Sequence, residues 1–475
     1  LGELMARAGK AVFEHIQRHF PQTRSLCIIV GKGNNGGDGF VIARLALEQG
    51  WQVTILAYCN IAQLKGEAKA AHAQLDIENV RLVNALEQPV GNAFFHQTSF
   101  DCIVDCLFGI GFKGQLAGIY REIALLINDS DIPVVSVDTP SGLNATTGEQ
   151  SVATVRATHT VTFIALKQGL LTGGGLACCG QIFYADLGLN SKFQQQVASN
   201  VHVQHQTILP CRQSRQINAH KGDIGLLLAI GGNRGMPGAI RLAGEAALRA
   251  GASLVGVHCH VSNHVMVIQG RPELMLAQAD SSNMPDERIL ANAKAMVIGP
   301  GLGRDDWAKT RFEQVIEQNI PKVVDADALH FLALSERQAH NEHWVLTPHS
   351  GEAAKLLGVS RNAVECDRYS AVRNIAKKYG GVCVLKGAGS LISDGDAVWV
   401  NSTGNAGMAS GGMGDVLSGT IAALLMQMDN SVDAARLAVY VHGKAADIIA
   451  QRCGQVGILA SDLFSTIQRL LNEES

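Results

Sequence analysis

The sequence predicts an α/β protein of two domains, each built on a mostly parallel sheet. Three observations lead there. Short apolar runs alternate with helix-periodic segments along the chain, which is the pattern of βαβ units. The 51 glycines gather in tight clusters at the ends of those runs and not in linkers, as in sheets that hold ligands at the carboxyl ends of their strands. A polar stretch rich in Gln, Asn and His, without a clear period, separates two such series at 190–220. It reads as the end of one domain, a linker and the start of the next. At 475 residues, and with roughly 100–200 residues per domain, two or three domains are expected.

In the first series a helix is expected from Leu4 to His15. Ser25 to Val30 is a strand that runs into glycine, Phe40 to Glu48 has helical spacing, and Trp51 to Tyr58 is a second strand. Phe100 to Leu107 and Pro133 to Val137 are further strands, with a helical stretch from Ile119 to Asn128 between them. After the polar stretch, Gly225 to Ile230 reads as a strand, Ala239 to Arg249 as a helix and Ser253 to His258 as a strand. Later strands end in Gly299-Pro-Gly301-Leu-Gly303, Asp325-Ala-Asp327, Thr347-Pro-His349 and Lys386-Gly-Ala-Gly389. The two series do not read as repeats of one another.

Hydrophobic residues make up 47% of the chain and charged ones 17%, enough to bury a large core and too apolar for disorder. The formal net charge is −3, with no basic block. That argues against non-specific nucleic-acid binding, which needs clustered Lys and Arg, but not against a small anion held by backbone amides. The 11 cysteines are scattered, and no Cys-x-x-Cys pair occurs, so a zinc ribbon or thioredoxin-type motif is not expected. Cys102 and Cys106 are spaced wrongly for a metal knuckle, and Cys178 and Cys179 read as packing thiols. A reducing cytoplasm is the simplest compartment. There is no apolar run of 18 residues and no signal peptide, so neither a membrane span nor a secretory route is expected. The chain opens at Leu1 inside a helical pattern, so a native piece is expected to precede it.

The first constellation is Gly31-Lys-Gly33-Asn34-Asn35-Gly36-Gly37-Asp38-Gly39, between a strand and a helix. It satisfies G-x-G-x-x-G in the required context. Its glycines allow a sharp turn, and a helix N-terminus offers free amides to a phosphate. The plainer alternative is a tight turn with no ligand. An ordinary dehydrogenase is disfavoured, because the second strand ends in Ala57-Tyr58-Cys59-Asn60 with no carboxylate for a ribose. Asn34, Asn35 and Asp38 put oxygens inside the glycine loop, and Asp105 and Asp138 lie at neighbouring strand ends. Such oxygens suit a hard monovalent or divalent cation. Asp138 could instead move a proton at carbon, and each Asp could be a turn or helix cap.

These residues resemble the NAD(P)H-hydrate epimerases. The motifs that carry the resemblance are Gly33 to Gly39, then Asp105-Cys-Leu-Phe-Gly109-Ile-Gly111, then Asp138-Thr-Pro-Ser141-Gly142-Leu, over about residues 1–200. The resemblance implies a Rossmann-like three-layer domain, bounded at 1–203, that interconverts the R and S forms of the hydrated cofactor. It also implies that Asn34, Asn35, Gly36, Gly37, Asp38, the segment Gly109, Ile110, Gly111, Phe112, Lys113, Gly114 and Gln115, and Asp138 hold substrate, with Asp138 catalytic. Asn35, Asp105 and Ser141 would bind potassium. The family often has an aliphatic residue where this chain has Thr139, a departure expected to have no consequence.

The second constellation is Gly404-Asn-Ala-Gly407-Met-Ala-Ser410-Gly411-Gly412-Met413-Gly414-Asp415, ahead of a helical run from Val416 to Met426. A glycine loop entering a helix presents amides that can stabilise charge on a transferring phosphoryl group. An Asp at its mouth can accept a proton from a substrate hydroxyl, or can merely cap the helix. Lys386-Gly387-Ala388-Gly389-Ser390 follows the apolar strand Val382 to Leu385 and could cradle phosphates, although a solvated turn would look the same. A Walker A loop is absent throughout. His349, in Thr347-Pro-His349-Ser-Gly351-Glu352, could hydrogen-bond substrate or could be a structural histidine.

This half resembles the ribokinase-like superfamily, and within it the ADP- or ATP-dependent NAD(P)H-hydrate dehydratases. The carriers, in order, are Lys221-Gly-Asp-Ile-Gly225 leading to Gly231-Gly232, Gly299-Pro-Gly301-Leu-Gly303, Thr347 to Glu352, Lys386 to Gly389 and Gly412-Met-Gly414-Asp415. The family usually has Thr where this chain has Met413; the backbone amide is kept and a hydroxyl lost. The resemblance implies a ribokinase-like α/β domain over 212–475. Ala239, Gly301, His349 and Asp415 would touch the hydrated cofactor, with Asp415 catalytic. Lys386, Gly387, Ala388, Gly389, Ser390 and Gly414 would hold the nucleotide. The implied reaction dehydrates the S form of NADHX or NADPHX with magnesium and with ADP, or ATP, as phosphoryl donor, giving AMP and phosphate from ADP. A homo-oligomer with no nucleic-acid or membrane partner is expected. The rival readings are a ribokinase-like kinase of a vitamin-precursor alcohol and a first domain that serves as a non-catalytic binding scaffold.

Overall fold

The computed structural model describes residues 2–473 except 92, 98, 211–215, 278–284, 286 and 336–338. The chain divides into two compact units, Leu1–Ser199 and Asn200–Ser475. The expected start of the second domain, 212, lies outside the described residues. The strand Val201–Val203, assigned by sequence to the first domain, pairs in parallel with Val398–Val400 of the second unit. A three-residue polar-flanked strand carries no signal of its own; its partner, nearly 200 residues on, defines it.

The first unit holds seven strands: β1 (Ser25–Val30), β2 (Gln52–Ala57), β3 (Arg81–Asn84), β4 (Cys102–Cys106), β5 (Val134–Val137), β6 (His159–Phe163) and β7 (Gln181–Ala185). Their order is β3-β2-β1-β4-β5-β6-β7, and every pairing is parallel. Leu26 to Val30 are wholly buried because helices cover both faces of the sheet, which explains the unbroken apolar run. The order reverses between β1 and β4, and such a switch point opens a crevice at the strand ends. Gly31 makes that crevice possible: a Cβ there would lie 2.1 Å from the Leu107 carbonyl oxygen.

The helix after β1 runs Asn34–Glu48, with Gly33 as N-cap. It begins six residues before the expected Phe40, so the glycine-rich stretch is the helix's own first turns and not a loop. Glycine is a poor helix former, but these positions are tightly enclosed. A Cβ on Gly36 would lie 2.1 Å from the Gly31 carbonyl oxygen, and one on Gly37 would meet the Met5 side chain at 2.5 Å. Close packing, not propensity, decides the helix start.

The second unit holds β8 (Val201–Val203), β9 (Leu226–Ile230), β10 (Leu254–His258), β11 (Leu274–Leu276), β12 (Ala293–Ile298), β13 (Lys322–Val324), β14 (Trp344–Leu346), β15 (Val382–Leu385), β16 (Leu391–Ser393) and β17 (Val398–Val400). Their order is β11-β10-β9-β12-β13-β14-β15-β16-β17-β8. It is parallel from β11 to β15, then antiparallel through β16 and β17. Here the switch lies between β9 and β12, again beside glycines. A Cβ on Gly231 would be 2.0 Å from the Pro300 carbonyl oxygen, and one on Gly299 1.8 Å from that of Asp325. The helix Met413–Leu425 packs on the helix Pro237–Arg249. Their approach is close enough that a Cβ on Gly419 would sit 2.0 Å from the Ala243 carbonyl oxygen. No described helix is long and apolar enough to cross a membrane.

Candidate active sites

At the β1/β4 switch point, Asp105 is fully buried. Its carboxylate accepts hydrogen bonds from the Ser141 hydroxyl (2.6 Å), the Ser141 amide (2.8 Å), the Ser136 hydroxyl (2.9 Å) and the Leu107 amide (3.3 Å). Burial pushes its carboxyl up, against the pull of these donors. The Phe108 amide donates to Ser141 Oγ at 2.9 Å, and Asn35 Nδ2 donates to the Phe108 carbonyl at 2.9 Å. Asn35, Asp105 and Ser141 thus converge through Phe108, whose role the sequence did not suggest. Gly109 lies against Asn35, a Cβ there being 3.4 Å from the amide carbon. From Gly109 the segment runs over the surface to Gln115, which accepts from the Val152 amide at 3.0 Å. Ile110 is exposed, Gly111, Lys113 and Gly114 likewise, and Phe112 packs on Phe108.

Asp138 follows β5 with φ of 65°, a left-handed conformation uncommon for a residue with a Cβ. Its carboxylate accepts from Lys167, from the Thr162 hydroxyl at 3.1 Å and from the Phe163 amide at 3.2 Å. Lys167 also donates to Thr162 Oγ1 and the Phe163 carbonyl, and burial draws its pKa down despite the carboxylate. Asp38 is buried in the helix's second turn; burial first, and then the Asp138 charge, push its carboxyl up to about 8. The site therefore holds a lysine–carboxylate pair facing a second acid that keeps its proton near neutrality. Neither cap reading describes Asp38 or Asp138. Lys167 was missed because β6, whose end carries it, lacks the flanking glycines that marked other strand ends.

Thr139 is fully buried, and its hydroxyl has no hydrogen-bond partner among the described residues. The departure from an aliphatic residue expected to be silent therefore leaves a buried hydroxyl unsatisfied, which costs stability.

In the second unit, Asp325 follows β13 and is buried to 1% exposure. Lys386 Nζ donates to it at 2.8 Å and Ser418 Oγ at 2.7 Å. Burial alone would raise the Asp325 carboxyl, but the Lys386 charge and the hydrogen bonds of Lys386, Ser418 and Thr347 outweigh it and hold it low. Burial likewise works against the Lys386 charge, and Asp325, Glu352 and Asp415 more than restore it. Gly414 lies beside this ammonium: a Cβ there would be 3.3 Å from Nζ. Asp415 stands in the first turn of the helix whose N-cap is Gly412, so it is not the cap. Burial and the Asp325 charge push its carboxyl up to about 7, with Lys386 opposing.

His349 is the N-cap of the helix Ser350–Leu357: its Nδ1 accepts from the Gly351 and Glu352 amides at 2.9 and 3.3 Å. Its structural use is therefore real, and it leaves Nε2 to carry the proton, 3.4 Å from Glu352. Burial, then Lys386, lower its pKa. Burial pushes Glu352 up to about 7. Gly387 N and the Ser390 hydroxyl hydrogen-bond across the tight turn that includes Ala388 and Gly389. Ala239 and Gly301 adjoin at the β9/β12 switch, with the Gly301 Cβ position 3.1 Å from Ala239 Cβ. Asp325, Glu352 and Ser418 were not singled out for roles. The first two stood inside quoted motifs; Ser418, mid-helix, carried no signal.

Two α/β units, each with a carboxylate–lysine cluster beyond the carboxyl ends of its parallel strands, the second of ribokinase-like fold, define an enzyme with two sites. Residues 227–469 match the family described as NAD(P)H-hydrate dehydratase, and residues 1–169 match that described as YjeF-related protein N-terminus. The chain is 42% identical over 473 residues to the bifunctional NAD(P)H-hydrate repair enzyme of Coxiella burnetii, covering 99% of this chain and 95% of that one. It is 43% identical over 475 residues to the enzyme of that name from Escherichia coli, covering 100% and 90%. Among solved structures it resembles the ADP/ATP-dependent NAD(P)H-hydrate dehydratase of Bacillus subtilis, co-crystallised with ATP and Mg2+, with a TM-score of 0.50 and 28% identity over 57% of this chain and 96% of that one. The chain belongs to the family of bifunctional NAD(P)H-hydrate repair enzymes. It joins an epimerase domain to a dehydratase domain, and the kinase and scaffold readings fall away.

Proposed function

We propose that the first unit, Leu1–Ser199, carries the epimerase site and the second, Asn200–Ser475, the dehydratase site, with the roles that follow. In hydrated NADH the hydroxyl-bearing ring carbon also carries the ring nitrogen. Epimerisation then needs a base to take the hydroxyl proton while the carbon–nitrogen bond opens, and an acid to protonate the nitrogen. Reclosure on the opposite face reverses both transfers. Asp138, held by Lys167, is the base, and Asp38 is the acid; the observation supporting this is the Asp38 carboxyl pushed up to about 8 beside Asp138. Asn34 to Gly37 and Gly109 to Gln115 border that crevice and hold the rest of the substrate.

Potassium suits the neighbouring cluster. The Asp105 carboxylate is buried among hydroxyls and amides, with no cationic hydrogen-bond partner among the described residues. Asn35, Asp105 and Ser141 would hold the ion, which would supply the missing positive charge.

In the dehydratase, Asp415 takes the proton of the substrate hydroxyl as its oxygen attacks the terminal phosphorus of ADP or ATP. The bond from that phosphorus to the leaving nucleotide breaks, releasing AMP if ADP is used. The carbon–oxygen bond then breaks, phosphate departs, and loss of the adjacent ring proton restores the double bond. The carrying observation is Asp415, pushed up to about 7 at a helix N-terminus beside the Lys386–Asp325 pair. Lys386 to Ser390 and the Gly414 amide receive the phosphates, and Ala239, Gly301 and His349 the hydrated ring. No three His, Cys, Asp or Glu side chains among the described residues could together hold a metal ion. Magnesium would therefore be held largely through phosphate oxygens and water, with Asp325, Glu352 and Asp415 nearby, and would offset phosphoryl charge. The B. subtilis dehydratase, co-crystallised with ATP and Mg2+, supports this use of nucleotide and metal.

Free thiols at the described cysteines support a reducing compartment, the cytoplasm. Self-association is supported by exposed Val261, Val265 and Met266, and sedimentation of the pure protein tests it. For the activities, the protein is incubated with mixed R and S hydrated NADH, magnesium, potassium and ADP or ATP, following reduced-nicotinamide absorbance. Full recovery is expected with a usable donor. Recovery that stalls after one epimer is consumed would reject the epimerase assignment, and no recovery with either donor would reject the nucleotide-dependent dehydratase.

A further inference from the structure

We propose that Arg368 is a positioning residue for the dehydratase, fastening the helix start that carries His349 and Glu352 to the loop that carries Lys386. The proposal rests on the nucleotide role given above to Lys386–Ser390. Arg368 is only 2% exposed and opens the helix Arg368–Tyr379. That is an adverse place for a cation twice over, since burial strips its water and the helix N-terminus repels positive charge. The placement is tolerable because the fork's donors find acceptors. Nη1 donates to Ser350 Oγ at 3.2 Å and to Glu365 at 3.4 Å. Nη2 donates to the Leu385 and Lys386 carbonyls at 3.3 and 3.2 Å. Ser350 directly follows His349, and the two carbonyls end β15 just where Lys386 turns toward Asp325. A backbone bond from the Lys386 amide to the Pro348 carbonyl, 2.9 Å, joins the same two segments.

Gly387 supplies an independent sign. Its φ is +147°, and a Cβ there would lie 2.8 Å from Nη2, 3.1 Å from Nη1 and 3.2 Å from Cζ of Arg368. The first glycine of Lys386-Gly387-Ala388-Gly389 thus makes room for the guanidinium beneath the loop, and not only for a phosphate above it. A planar fork that reaches two carbonyls on a loop and a hydroxyl on a helix start is a task for Arg and not for a hydrophobic filler.

The test uses the full chain, with its epimerase activity as internal control. In Arg368→Met the KM for ADP or ATP, whichever donor works, is expected to rise about tenfold or more while kcat stays within about threefold. Arg368→Lys is expected to fall between Met and wild type, and the epimerase rate to stay unchanged. A purely structural role would instead lower kcat and thermal stability together without a split, and that result overturns the proposal, as does an unchanged KM in folded Arg368→Met. Should Arg368→Met not fold, Ser350→Ala decides: it removes one acceptor and leaves the guanidinium, and an unchanged nucleotide KM there overturns the proposal. Lys386→Ala separates the two claims. Unaltered KM for both donors in that variant overturns the nucleotide assignment and the positioning role with it. A raised KM there, with none in Arg368→Met, overturns the positioning role alone.

Discussion

The two sites use the same parts in opposite proportions. In the first unit one lysine, Lys167, serves one carboxylate, Asp138, and burial draws the lysine's pKa down. In the second, Lys386 sits among Asp325, Glu352 and Asp415, and their summed charge holds its pKa up. Both arrangements leave a further acid with a raised pKa: Asp38 at about 8, and Asp415 at about 7. A site with a balanced pair and one protonated acid is suited to exchanging protons between two groups. A site with a firmly charged lysine and excess carboxylates is suited to a polyanion that arrives with its own cation.

The sharpest break of this comparison is Asp415→Asn. It is expected to lower dehydration about 10³-fold and to spare epimerisation, read by separate assays on R and S hydrates. Next is the cost of unpairing each lysine. Asp325→Ala strands Lys386 against a nearly inaccessible partner site, so a loss of about 3 kcal/mol is expected in the unfolding of the second unit. Lys167→Met is expected to cost less, because the Asp138 carboxylate keeps two hydrogen-bond donors, the Thr162 hydroxyl and the Phe163 amide. Equal losses in urea unfolding would erase the distinction between the two clusters.

The pH profiles should run in opposite directions. Asp38 acts in its protonated form, so epimerisation is expected to fall as pH rises through about 8. Asp415 acts as a base, so dehydration is expected to rise as pH rises through about 7. Stability carries the matching sign. A carboxyl whose folded pKa lies above its unfolded one binds more protons when folded, so each acid costs stability as pH climbs from the unfolded value to its folded one. Parallel limbs for the two activities would refute the acid and base assignments.

Two smaller effects refine the picture. Thr139→Val replaces a buried, unpartnered hydroxyl and is expected to stabilise the first unit by about 1 kcal/mol, seen as a higher unfolding midpoint. Gly411→Ala meets nothing within 4 Å, so its stability change should stay within about 0.5 kcal/mol. Any rise in nucleotide KM would then report a ligand lying against that glycine, in contrast to Gly36, where the backbone itself leaves no room.

The strands flanked by glycine were legible because a parallel, doubly covered strand is an unbroken apolar run. Val382 to Leu385 was placed to the residue, and Ser25 to Val30 likewise. Strands β3, β6, β7, β8, β11, β16 and β17 were not anticipated: short length, partial exposure or mixed Thr, Ser and His content blurs the apolar run. The glycine stretch from Asn34 to Gly39 was expected as a loop and folds as helix, because propensity is a local quantity and the close approach of Gly36 to Gly31 is not.

By itself the sequence determined the two α/β units, the order of their motifs and the carboxylates at the strand ends, since periodicity and glycine clustering are properties of neighbours along the chain. Only the tertiary structure decided which lysine answers which carboxylate, that His349 spends one ring nitrogen as a cap, and that a buried arginine joins a helix start to a loop. Those facts depend on distances between residues far apart in sequence, and on how much water each charge loses when they meet.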